Sequence, residues 1–300
     1  MLTTVSNSNF KMSRIVQGMM RLNNWNMTIE ELENFILEAI DLGVTTFDHA
    51  DIYGGNHLCE SIFGEVLKKN KSLRKKIQLI TKCDIRYNHN DNVLVKKYYD
   101  TSKEYIIYSV EESLKNLNTD YIDLFLIHRP DPLMNPDEIA EAFYELHKSG
   151  KVLHFGVSNF TPQQFKTLQS RLSMQLITNQ IEISPYSLEH FYNDNIYFLM
   201  EKKINPMAWS PLAGGKLFNP DDDKSERINR ALKLVAKDLN IEELDIVVYS
   251  WLLSHPLGIF PISGSGKIHR LKNAVRALDI KLNKEQWYAI YTASLGYKVP

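Results

Sequence analysis

Eight strand-like apolar runs alternate with helical patterns along nearly the whole chain, and that alternation restricts the architectures open to it. The runs are Ile15–Gly18, Thr45–Asp48, Ile77–Lys82, Tyr121–Ile127, His154–Val157, Thr178–Ile181, Pro206–Trp209 and Ile259–Pro261. A strand followed by a helix and another strand gives a parallel pair with a crossover, so the sheet is expected to be parallel. Eight such units in 300 residues fit one closed (β/α)8 TIM barrel, taken as a single domain over 1–300. A doubly wound sheet is the structural alternative, and it usually carries GxGxxG after its first strand. Here GMMRLNN stands at that place, and no such fingerprint or phosphate loop occurs elsewhere.

The helices between the runs are punctuated. Thr28 and Glu31 have capping-box spacing ahead of Leu32, Phe35, Ile36, Ala39 and Ile40, and Gly43 stops the pattern. Thr101 and Glu104 repeat the spacing before Ile106, Val110 and Leu114. Asn135-Pro136 and Thr161-Pro162 open two more helices, because proline at the first helical position lacks only an N–H that would be orphaned anyway. Three helices exceed the repeat. Two, about Ser225–Leu239 and Leu244–Leu253, lie between the seventh and eighth runs; the third, about Lys284–Thr292, follows the last barrel helix. A long loop, Arg86–Asp100, follows the third run, and loops at that rim commonly select substrate.

Three successive runs end on an ionisable residue. Asp48 closes VTTFD with Tyr53 five residues on, Lys82 closes IQLITK, and His128 closes YIDLFLIH. In a parallel barrel those ends share one rim, so the four side chains are expected to converge. Taken singly, Asp48 and Lys82 could be a structural ion pair and Tyr53 a turn aromatic; their joint position favours a proton-transfer site. A free phenol ionises near pH 10, and a lysine beside it is expected to bring Tyr53 towards the working range as general acid. Asp48 would hold Lys82, and His128 would donate to a carbonyl oxygen as charge develops on it. These groups contain no hydride, so a cofactor has to supply the reducing equivalent.

Composition narrows the partners. Thirty-five basic residues balance 36 acidic ones, and no basic block has the look of a nucleic-acid footprint. The two cysteines, Cys59 and Cys83, form no spaced framework, MLTTVSNSNFKMSR has no apolar core of a signal peptide, and no window is long enough to span a bilayer. A cytoplasmic protein acting on a small molecule is expected, with its oligomeric state open. His49, Asp51, His57 and His89 raise the alternative of a metal-dependent hydrolase, but their spacing matches no ligand set and Lys82 would repel a divalent ion.

The later run ends suit a nicotinamide nucleotide. Ser158, Asn159 and Gln180 offer donors and acceptors for a carboxamide, and Trp209 offers a face for ring stacking. The segment Ser210-Pro211-Leu212-Ala213-Gly214-Gly215-Lys216 could approach a pyrophosphate. Ser263-Gly264-Ser265-Gly266-Lys267 opens a helix whose N-terminus favours an anion. Met20, Trp25, Arg129 and Tyr297 are further pocket candidates, Met20 also as a cofactor contact; for Arg129, pairing with Asp131 is the more ordinary expectation.

GVTTFDHADIYG, LITKCD, TDYIDLFLIHRPD, GVSNF, NQIEISPY and WSPLAGGKLF resemble, in order, the successive motifs of the aldo-keto reductase family. The resemblance implies an (α/β)8 barrel, NAD(P)H-dependent interconversion of carbonyls and alcohols, and a catalytic tetrad of Asp48, Tyr53, Lys82 and His128. It further implies that Lys267 and Arg270 hold an adenosine 2′-phosphate, which favours NADP(H) over NAD(H). Many relatives have lysine where Gly264 stands and Glu-Asn where this chain has Asn273-Ala274, so phosphate contacts shift to Ser265 and Lys267, with Asn273 a further cofactor candidate. Some similar barrels serve instead as regulatory subunits that bind NADPH with little turnover.

Overall fold

The computed structural model describes residues 2–5, 8–88 and 94–299. Two short strands, β1 (Leu2–Thr4) and β2 (Lys11–Ser13), pair antiparallel. They lead into β3 (Val16–Gly18), β4 (Thr46–Asp48) and β5 (Gln78–Cys83). A second antiparallel ladder joins β6 (Ile85–Tyr87) to β7 (Lys97–Tyr99). Then come β8 (Ile122–Ile127), β9 (Val152–Ser158), β10 (Leu176–Glu182), β11 (Met207–Trp209) and β12 (Phe260–Ser263). Strands β3, β4, β5 and β8 to β12 pair in parallel, in that order, and β12 returns to β3 to close a barrel. All eight expected strands are present, and closure excludes the doubly wound sheet.

The helices are α1 (Ile29–Asp41), α2 (Leu58–Lys69), α3 (Lys103–Asn116), α4 (Pro136–Lys148), α5 (Pro162–Gln169), α6 (Asn195–Lys202), α7 (Asp223–Asp238), α8 (Leu244–Leu253), α9 (Ile268–Arg276) and α10 (Lys284–Leu295). Helices α7, α8 and α10 are the three expected additions. The Thr28 and Thr161 capping boxes form, and Asn135 caps α4. At α3 the cap is Ser102 rather than Thr101. The Ser102 hydroxyl accepts from the Tyr105 N–H, while Thr101 Oγ1 turns away to donate to Asp131 at 3.1 Å.

The barrel interior is filled by Val16, Ile80, Leu124, Leu126, Ile177, Met207, Phe260 and Ile262, packed with Val5, Phe10 and Met12 from the N-terminal hairpin. Because β2 runs into the start of β3, that hairpin closes the end opposite the strand C-termini. Helix residues form the outer layers, where Gly64 of α2 lies so close to α3 that a Cβ there would stand 1.9 Å from the Asn116 carbonyl oxygen. The loop expected over Arg86–Asp100 instead carries most of the β6–β7 ladder. Its strands are three residues each, too short to show an alternation. Among the described residues no helix is long and apolar enough to cross a membrane.

Candidate active site

The parallel register brings Asp48, Lys82 and His128 to one rim, and the turn after β4 folds Tyr53 over them. Lys82 is fully buried, and its ammonium donates to Asp48 Oδ2 at 2.9 Å, to Tyr53 Oη at 3.0 Å and to the His49 carbonyl. Gln180 Nε2 donates to the other Asp48 oxygen at 2.9 Å, so both carboxylate oxygens are held. The Tyr53 and His128 rings stand nearly perpendicular with centroids 6.0 Å apart.

Burial works against the Lys82 charge, but Asp48 and then Tyr53 outweigh it and hold its pKa above the ordinary lysine value. Burial also pushes the Tyr53 phenol above its ordinary value, and the Lys82 charge opposes that rise without cancelling it. The expected net lowering of Tyr53 is therefore reversed. A phenolate here would lose water and face the Asp48 and Asp51 carboxylates. His128 is held well below the usual histidine range, by burial first and then by the Lys82 and Arg129 charges. Its imidazole is neutral near pH 7, and its Nδ1 is buried without a partner among the described residues.

Asp48, Tyr53 and His128 line a cavity of about 550 Å³, with Lys82 buried behind them. Of the cofactor candidates, Met20, Ser158, Asn159, Gln180, Trp209, Ser210, Pro211, Leu212, Gly214, Ser263, Gly264, Ser265 and Arg270 line it. Lys216, Gly266, Lys267 and Asn273 are not among its lining residues. Lys216 is drawn to Asp221 and Asp222. The Trp25 ring covers Gly266, Lys267 is the N-cap of α9, and the Asn273 amide donates to both oxygens of buried Asp245. Met20 and Arg129 line the cavity; Trp25 packs instead on Phe35, and Tyr297 is 64% exposed away from it. Lining residues that the sequence reading passed over include Arg21, Tyr87, Lys97 and Tyr249. Tyr87 and Lys97 enter only through the unforeseen β6–β7 ladder.

The polar groups expected to await a carboxamide bond one another. Trp209 Nε1 donates to Asn159 Oδ1 at 3.0 Å, Asn159 Nδ2 donates to Ser158 Oγ at 2.8 Å, and Ser158 Oγ donates to the Gln180 carbonyl. Asn159 and Ser210 adopt left-handed φ values of 61° and 48° at these strand ends, a strain that concentrates at functional sites. The donor set, the flat Trp209 face and the Ser263-Gly264-Ser265 turn with Arg270 around one cavity fit a nicotinamide nucleotide.

A buried acid cluster supports the Tyr53 turn from behind. Asp51 accepts from Tyr105 Oη at 3.1 Å and from Ser109 Oγ at 3.3 Å, and burial together with the Glu60 charge raises its pKa to about 7. Glu60 is in turn bonded by His57, Thr81 and Ser113. His49 lies edge-on to Phe63 with centroids 4.7 Å apart. His89 falls outside the described residues, and among those described no group of three or more His, Cys, Asp or Glu could hold a metal ion. Cys59 and Cys83 are free and buried.

The arrangement can accept a carbonyl oxygen between the Tyr53 hydroxyl and the His128 ring. The sequence model described as the aldo/keto reductase family matches residues 14–294. An uncharacterized oxidoreductase of Bacillus subtilis, YcsN, is 50% identical over 289 residues, covering 96% of each chain. A 6-dehydroglucose reductase of Agrobacterium fabrum is 40% identical, again over 96% of each. The solved structure of a thermostable aldo-keto reductase in complex with the inhibitor epalrestat superposes with a TM-score of 0.82, covering 98% of this chain and 99% of that one. At 23% identity, that likeness speaks for the fold alone.

Proposed function

The chain belongs to the aldo/keto reductase family and is an NAD(P)H-dependent oxidoreductase, and from that premise we propose that it uses NADPH to reduce an aldehyde or ketone to the alcohol, with Tyr53 giving the proton. The observation that carries this reading is the buried Lys82 ammonium bonded at once to Asp48 and Tyr53, both of which line the cavity. A reduced nicotinamide supplies a hydride when bound. Tyr53 and His128 orient the carbonyl oxygen and stabilise the charge that builds on it. The Tyr53 hydroxyl then passes its proton to that oxygen. The Lys82 ammonium stabilises the phenolate left behind, although at rest burial keeps the phenol protonated. Asp48, fixed by Gln180, keeps Lys82 charged and aimed.

The preference for NADPH rests on Arg270, which lines the cavity near Ser265 at the start of α9 and is half exposed while donating to Asp245 at 3.0 Å. A guanidinium gains much from a dianionic 2′-phosphate and little from a ribose diol. The 6-dehydroglucose reductase relative makes sugar aldehydes a reasonable part of any substrate panel.

The direct test is NADPH and NADH oxidation across aldehydes, ketones, quinones and keto-acids, repeated with Tyr53→Phe. The variant is expected to bind NADPH and to lose about 10²-fold or more of its turnover. Full activity in Tyr53→Phe would remove Tyr53 as the acid. Tight NADPH binding with no consumption in the parent protein would favour the regulatory reading.

A further inference from the structure

The cavity's charges are unequal in a way that carbonyl reduction does not use. Among the described residues its lining holds Arg21, Lys97, Arg129 and Arg270 but one carboxylate, Asp48, both of whose oxygens are already engaged. Arg270 has Asp245. Arg129 has no such partner among the described residues. The Asp131 expected to pair with it accepts from Thr101 Oγ1 and the Leu133 N–H, and Glu182 feels the Arg129 charge without forming an ion pair. Lys97 rests on the Tyr87 ring at 5.7 Å, with no acidic partner among the described residues.

Position separates Arg129 from the cofactor's phosphates. Arg129 follows β8, whereas the small-residue loops and Arg270 follow β11 and β12; in the order β3-β4-β5-β8-β9-β10-β11-β12, β8 and β12 stand across the barrel from each other. Arg129 directly follows His128, its guanidinium carbon lies 5.6 Å from the Trp209 ring centroid, and it lines the same cavity as Tyr53 and His128. The charges of both Arg129 and Lys97 reach the His128 ring and disfavour its protonation.

We propose that the substrate is a carbonyl compound bearing a carboxylate, which Arg129 clamps at the cavity mouth within the field of Lys97 while the carbonyl faces Tyr53 and His128. A guanidinium fork matches a carboxylate in two parallel charge-assisted hydrogen bonds, a geometry that fixes orientation as well as affinity. The proposal rests on the carbonyl-reduction reading and narrows its substrate class.

The experiment compares 4-carboxybenzaldehyde with its methyl ester, one aldehyde with and without the charge, in the parent protein, Arg129→Met and Arg129→Lys with NADPH. The acid is expected to exceed the ester in kcat/KM by about tenfold or more, mainly through KM. The ratio should fall as salt screens the mouth. Arg129→Met should bring the ratio close to one, and Arg129→Lys should restore part of it. An acid preference absent from the parent protein, or undiminished in Arg129→Met, overturns the proposal while ester turnover leaves carbonyl reduction standing. If neither aldehyde is reduced with NADPH or NADH while keto-acids, ketones and quinones also fail, the functional reading itself falls, and this proposal with it.

Discussion

Tyr53, Lys82 and His128 are each shifted so that the protonation state needed for reduction is the resting one. The phenol is raised above its ordinary value near 10, the ammonium above its own, and the imidazole is pushed well below the neutral range. None of the three titrates between about pH 6 and 9, so none of them should add an inflection of its own to the reduction rate under saturating substrate across that span. An inflection belonging to the tyrosine or the histidine inside it, seen in a pH–rate profile, would contradict this account. Arg270→Ala should weaken NADPH by about tenfold or more and NADH far less, measured by fluorescence titration; equal weakening would assign Arg270 to its bond with Asp245 alone. The positions of the tetrad were legible because Asp48, Lys82 and His128 each end an apolar run and Tyr53 follows Asp48 by five residues. The net direction of the Tyr53 shift was not, because burial depends on what packs around the turn. The partners of Lys216 and Asn273 could not be read for a related reason: Asp221 with Asp222, and then Asp245, compete for the same charges and amides that a cofactor would use.

Helices α2 and α3 meet through Gly64, where a methyl group would meet the backbone oxygen of Asn116 rather than a movable side chain. Gly64→Ala should therefore destabilise the fold by about 2 kcal/mol or more, despite alanine's better helix propensity, as read from the denaturant midpoint. An unchanged or higher midpoint would show that the two helices can part cheaply. The barrel strands and most caps could be read from periodicity and from Ser, Thr, Asn and Pro punctuation. The hairpins β1–β2 and β6–β7 could not, since three-residue strands carry no period. Thr101 and Ser102 illustrate the limit of capping arithmetic. Adjacent hydroxyls both precede α3, and the choice falls to Ser102 because Asp131, distant in sequence, draws Thr101 away.

At the scale of the molecule, the Asp51–Glu60 cluster joins the turn after β4 to α2 and α3. Asp51 titrates at about 7 in the folded state, above the usual carboxylate value. The folded protein thus binds this proton more tightly than the unfolded chain, so the contribution to stability is fullest in acid and declines as pH rises through about 7. Asp51→Asn cannot ionise, and its stability relative to the parent should rise from about pH 4 to 7 and then level off. Chemical denaturation at both ends of that range checks the sign; movement in the opposite direction would refute the assignment of the raised pKa to Asp51. The barrel's far end has a different consequence. With Val5, Phe10 and Met12 wedged into it as a stopper, that end is closed among the described residues, so guests of the reactive chamber come and go by the rim of strand C-termini. Of two guests that must share the chamber, the one seated deeper has to arrive first and depart last.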